Sequence, residues 1–137
     1  MRQIVLDTSV VIKWFIPEKG RNKAIALRDD HIKNKIKLCS RDLLLYEFVS
    51  SLKNYSKMRL QDKDFAFAVE TLQSVKIGIY PLNYADLPEL FILAKKLNIS
   101  IYDCSYLLLA KKLRAPLYTA DKKLFLASKS AVASFFI

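Results

Sequence analysis

Apolar positions along the chain switch between two rhythms, and the switches mark its elements. Ile4-Val5-Leu6 is a continuous apolar run broken by Asp7-Thr8-Ser9, which predicts a short buried strand over Gln3–Leu6. Val10–Phe15 reads as a helical turn or two, stopped before Pro17. Arg21–Lys35 follows as a polar-faced helix with Ala24, Ile25, Leu27 and Ile32 inward, and Lys37–Ser40 as a short strand. Leu44, Phe48, Leu52 and Tyr55 recur at helical spacing and predict a helix over Asp42–Met58. Asp62–Val75 reads as another helix, with Asp62 as its N-cap. Lys76–Leu82 alternates through Ile77 and Ile79 to Pro81 and reads as a strand. Helices are expected over Asp86–Leu97, over Ser100–Leu113 and onward from Lys122, with strands at Pro116–Thr119 and Ala131–Phe136.

Strands alternating with helices imply an α/β fold built on a mainly parallel sheet with helices on its faces. In such sheets ligands bind beyond the carboxyl ends of the strands. Asp7 and Asp121 each fall just after a predicted strand, the first sign that they share a site. The length of 137 residues suits one domain over 1–137, and no repeat or linker interrupts it.

Composition narrows the chemistry. No apolar run approaches the roughly 18 residues of a membrane span. Asp7 breaks the opening apolar stretch too early for a signal peptide, so the sequence reads as cytoplasmic. Cys39, Cys104 and the single His31 offer no zinc-ligand spacing. Both thiols read as reduced and packed in or near the core, and His31, in the run Arg28-Asp29-Asp30-His31, as a solvated helix residue. Lys and Arg number 23 against 13 Asp and Glu, a net charge of +10 that points to a polyanionic partner, nucleic acid ahead of membrane.

Against that basic background four acids stand out: Asp7, Glu47, Asp103 and Asp121. Three have ordinary structural readings. Asp7 and Asp121 precede helical segments as N-caps would, and Ser100-x-x-Asp103 resembles a capping box. Glu47 is harder to place, because its helical neighbours Leu43, Leu44, Ser50 and Ser51 carry no charge. A carboxylate there calls for a partner, either a lysine from elsewhere or a metal ion. At about 5 Å and an effective dielectric of about 20, each ionised pair of such acids costs about 3 kcal/mol, and a divalent cation reverses the sign. Hard oxygen ligands suit Mg²⁺ or Mn²⁺, and such an ion orients a phosphodiester, activates a water and stabilises the leaving oxygen.

At these residues the chain resembles the PIN-domain family. Val5-Leu6-Asp7-Thr8-Ser9 followed by Trp14 is similar to the family's first motif, and Leu43 through Leu52, around Glu47, to its second. The strongest likeness is Ile101-Tyr102-Asp103-Cys104-Ser105-Tyr106 through Ala110, running on through Ala115-Pro116-Leu117 into Tyr118-Thr119-Ala120-Asp121. The resemblance implies a three-layer α/β/α sandwich. It assigns Asp7, Glu47, Asp103 and Asp121 to an acidic metal site, with Ser9 and Thr119 in support. It further implies a Mg²⁺- or Mn²⁺-dependent endoribonuclease, a homodimer, and for a small stand-alone member the VapC-like toxin of a VapBC toxin–antitoxin pair. The chain departs from the family pattern at Arg41, where proline is common, at Ser50 for asparagine, at Cys104 for alanine and at Arg114 for glycine. Other readings stay open: a PIN nuclease of RNA processing without an antitoxin, and a non-catalytic RNA-binding or assembly module of the same fold. A phosphatase using a strand-end aspartate is set low, because its D-x-D pattern is broken by Ser9.

Overall fold

The computed structural model describes residues 1–137. Five strands form one sheet: β1 (Arg2–Leu6), β2 (Ile36–Arg41), β3 (Gly78–Tyr80), β4 (Leu117–Thr119) and β5 (Ser134–Phe136). Their order is β3-β2-β1-β4-β5 and every neighbouring pair is parallel. The helices between them are α1 (Thr8–Val11), α2 (Arg21–Ile32), α3 (Leu43–Lys53), α4 (Asp62–Val75), α5 (Leu87–Leu97), α6 (Ile101–Leu113) and α7 (Lys122–Ser128), with 3-10 turns at Ile12–Trp14 and Tyr84–Asp86. No helix is long and apolar enough to cross a membrane.

The sheet separates two apolar cores, as the period-2 alternation of strand side chains requires. Ile4, Leu6 and Leu38 point to one face and pack with Val10, Trp14, Leu44 and Phe48, under α1 to α4. Val5, Cys39 and Leu117 point to the other and pack with Leu93, Tyr106, Leu107 and Leu124, under α5 to α7. This is the expected three-layer α/β/α sandwich. Helix α6 lies across β1, β2 and β4 and is the most deeply buried helix, with every residue from Cys104 to Ala110 inaccessible. Cys39 and Cys104 are free thiols in this core, as the sequence suggests.

Several local expectations change. Helix α3 stops at Lys53, so Tyr55 and Met58 lie beyond it, while Phe48 is a core residue. Gln61, not Asp62, is the N-cap of α4, its N–H donating to Asp64 Oδ2 at 3.1 Å. Ile32, expected inward, is exposed at the end of α2. His31 is no solvated bystander. Its Nδ1 accepts the Leu38 N–H at 3.0 Å, which places the proton on Nε2, and Nε2 donates to the Val75 carbonyl at 2.8 Å. One neutral imidazole thereby ties α2 to β2 and to the end of α4.

Of the positions where the sequence departs from the common pattern, Arg41 has a visible reason and Arg114 a visible cost. Buried Arg41 donates through Nε to the Ser105 carbonyl at 2.8 Å and through Nη1 to the Pro81 carbonyl at 3.2 Å. It also faces the buried Asp86 carboxylate at 4.0 Å, to which Lys112 is paired as well. Burial lowers the Arg41 guanidinium from its ordinary value, and Asp42 opposes that. Arg114 ends α6 in the left-handed region at φ 52°, where glycine is least strained.

Candidate active site

The carboxyl ends of β1 and β4 lie side by side, and Asp7 and Thr119 stand at those ends. Asp7 is buried, and both its oxygens are held by hydroxyls: Ser9 Oγ donates to Oδ1 at 2.5 Å and Thr119 Oγ1 to Oδ2 at 2.6 Å. Each hydroxyl is oriented in turn. Ser9 Oγ accepts the Ala120 N–H at 2.8 Å and Thr119 Oγ1 accepts the Asp121 N–H at 3.0 Å. A hydroxyl has one proton to give, and these amides leave the carboxylate as its direction. Asp7 occupies an N-cap position before α1, but its side chain makes no capping bond there, so the capping role does not account for it.

Burial is the main cause that pushes Asp7 up from 3.8 to about 6; the Ser9 and Thr119 bonds oppose it, and the charges of Asp103 and Asp121 add to it. Asp103, half-buried in the first turn of α6, is raised for the same first reason and then by Asp121 and Glu47. Lys123 is the cation that relieves Asp103, and the Ser100 hydroxyl also opposes the rise. Ser100 Oγ accepts the Asp103 N–H at 3.1 Å, the one half of the expected capping box that forms. Asp121 does cap α7, Oδ1 accepting from Leu124 N–H at 3.1 Å.

Glu47 comes from α3 on the other face of the sheet. Its partner is not a lysine. Tyr106 Oη donates to Glu47 Oε1 at 2.6 Å and Thr8 Oγ1 donates to the same oxygen at 2.9 Å, the two hydroxyls lying 3.0 Å apart. Ser50 is exposed and bonds Asn54, away from Glu47. Thr8 and Tyr106 were missed from the sequence. Tyr106 opens the apolar run Tyr106–Ala110 and reads as core, yet it follows Asp103 by three residues, so the helix puts both on one face.

Two strand ends and two helices thus bring four carboxylates within electrostatic reach of one another, with one lysine opposing. Their donor chemistry fits a hard divalent cation: oxygens only, mutually repelling, with Asp7 and Glu47 held by neutral hydroxyls. No three of them close into a ready-made cage for an ion. Mg²⁺ in any case keeps several waters and is held by one or two carboxylates directly.

A parallel α/β/α sandwich with carboxylates at adjacent strand ends defines the class, and the chain belongs to the PIN-domain family, whose model matches residues 4–129. Among curated proteins it is 27% identical over 124 residues to Ribonuclease VapC3 from Pyrobaculum aerophilum, covering 89% of this chain and 92% of that one. Among solved structures, PAE2754 from Pyrobaculum aerophilum aligns at a TM-score of 0.70 with 23% identity, covering 96% of this chain and 83% of that one. VapBC2 from Rickettsia felis, solved with a DNA fragment from its promoter, aligns at 0.67 with 15% identity and 98% of both chains. These structural likenesses concern the fold.

Proposed function

We propose that this chain is an endoribonuclease dependent on Mg²⁺ or Mn²⁺, acting as the toxin of a VapBC-type pair. The observation that carries the reading is the convergence of Asp7, Glu47, Asp103 and Asp121 at the end of a PIN sheet, each pressing on the ionisation of another or held by a dedicated hydroxyl. Asp7, Asp103, Asp121 and Glu47 would hold the cation, with Ser9 and Thr119 fixing Asp7. The ion would supply the Lewis acid for the scissile phosphate and its attacking water. The net charge of +10 favours a phosphodiester polymer as substrate. Tyr46 and Tyr102, 80% and 58% exposed beside Glu47 and Asp103, offer faces on which unpaired bases of an RNA strand stack.

The likeness to VapC3 and to the VapBC2 complex supports an antitoxin partner, and a homodimer accords with the family. A cavity of about 590 Å³ between the end of α3 and the start of α4, lined by Leu52, Tyr55, Met58, Leu60 and Phe65, suits the apolar face of an antitoxin segment. We place the protein in the cytoplasm, where its RNA substrate is found. The test is RNA cleavage with and without Mn²⁺ or Mg²⁺, with the ends identified by mass spectrometry. Metal-dependent products bearing 5′-phosphate and 3′-hydroxyl ends are expected. A 2′,3′-cyclic phosphate formed equally well in EDTA would overturn the reading.

A further inference from the structure

We infer that Tyr106, with Thr8, is a positioning residue that fixes the Glu47 carboxylate and turns one of its oxygens toward the cation site; this rests on the function proposed above. Both hydroxyls converge on Oε1, Tyr106 at 2.6 Å and Thr8 at 2.9 Å, and no donor reaches Oε2. Counting protons makes the arrangement directional. Tyr106 has one proton and spends the shorter bond on Glu47. Thr8 has one proton as well, shared between Glu47 and the Tyr106 oxygen 3.0 Å away. In either state Oε1 is occupied and Oε2 is the free oxygen.

The partner's chemistry matters as much as its geometry. A lysine in the same place would stabilise the Glu47 charge, but it would also cancel charge in the cluster and compete with a cation. Two neutral hydroxyls stabilise the carboxylate and leave its charge available. Tyr106 is fixed for this task. Its side chain is 1% exposed in the core of α6, one helical turn after Asp103. Thr8, directly after Asp7, links this clamp to the Asp7 end of the cluster.

The experiment measures Mn²⁺ binding by the metal alone, with no RNA present, by calorimetry or electron paramagnetic resonance. Wild type is compared with Tyr106→Phe, which keeps the ring, and Thr8→Val, which keeps the volume. Tyr106→Phe should weaken Mn²⁺ binding about 10-fold and Thr8→Val about 3-fold. In cleavage assays the loss should be rescued by raising Mn²⁺, with KM for RNA unchanged. In a Glu47→Gln background, Tyr106→Phe should leave Mn²⁺ binding as Glu47→Gln alone leaves it. Equal Mn²⁺ affinity in wild type, Tyr106→Phe and Thr8→Val would overturn the inference and leave the nuclease reading standing. A further 10-fold loss on adding Tyr106→Phe to Glu47→Gln would also overturn it, because the tyrosine would then act otherwise than through Glu47. A wild-type chain that takes up no divalent ion would overturn the nuclease reading and the inference together.

Discussion

Replacing Asp7 by asparagine should stabilise the metal-free protein at neutral pH while abolishing RNA cleavage. Asp7 is almost fully buried and its carboxyl is pushed from 3.8 to about 6, so the folded state disfavours its charge by about 3 kcal/mol. Asparagine removes that charge and keeps one acceptor, for Ser9. Its amide nitrogen then faces Thr119 Oγ1, whose proton must turn away, at a cost of about 1 kcal/mol. The balance is a gain of about 1–2 kcal/mol, or roughly 4–8 °C in Tm for a chain of this length. The sign depends on pH. Below about pH 4 wild-type Asp7 is protonated in both states and carries no penalty. Between that point and about 6 the folded state keeps the proton that the unfolded state has lost, so wild-type stability falls as pH rises; above about 6 the penalty is complete. The advantage of Asp7→Asn should therefore be present at pH 7.5 and gone at pH 4. Thermal unfolding of both proteins in EDTA at the two pH values measures it. An equal loss of stability at both would show that Asp7 is a structural hydrogen-bonding group whose charge is not under strain.

Other outcomes follow from the same geometry. Asp86→Ala leaves buried Arg41 without its counter-charge and should cost about 3–5 kcal/mol, read by urea unfolding; a change under 1 kcal/mol would mean that the Ser105 and Pro81 carbonyls alone hold Arg41 in place. Arg114→Gly relieves a left-handed backbone at the end of α6 and should raise stability by about 0.5–1 kcal/mol, with no effect on cleavage. His31→Ala abandons the Leu38 amide and the Val75 carbonyl and should cost about 1–3 kcal/mol, whereas a solvated histidine would be silent. Tyr102→Ala in an Asp121→Asn background should weaken binding of single-stranded RNA by about 1–3 kcal/mol in a fluorescence titration, and unchanged affinity would remove the stacking role.

How much of this was legible in the sequence depended on whether the signal was local. Ile4-Val5-Leu6 before Asp7 announced both a strand and its end, and parallel order followed from the alternation of strands with helices. The helix over Asp42–Met58 was overextended because Tyr55 continues the apolar period past Lys53, although the chain leaves the helix there. His31 was misread because its two partners lie on β2 and at the end of α4, beyond any window of charged neighbours. Ser9 and Thr119 were named from motif likeness, and their bonds to Asp7 span sequence separations of 2 and 112.

Glu47 shows the limit most clearly, and also what lies past it. An unpaired acid on an uncharged helical face signals that a partner exists, but the sequence ranks a lysine or a metal ahead of anything else. The fold supplies neutral hydroxyls from β1's end and from α6, reaching across the sheet edge from 39 and 59 residues away. Such a partner leaves no compositional trace, because threonine after a strand and tyrosine in an apolar helix are both unremarkable. It is nonetheless the solution that a cation site requires. Positive side chains near four acids would stabilise the empty site and oppose its filling, and here only Lys123 eases the charge on Asp103. At Asp7 and Glu47 the orienting is done by neutral hydroxyls instead.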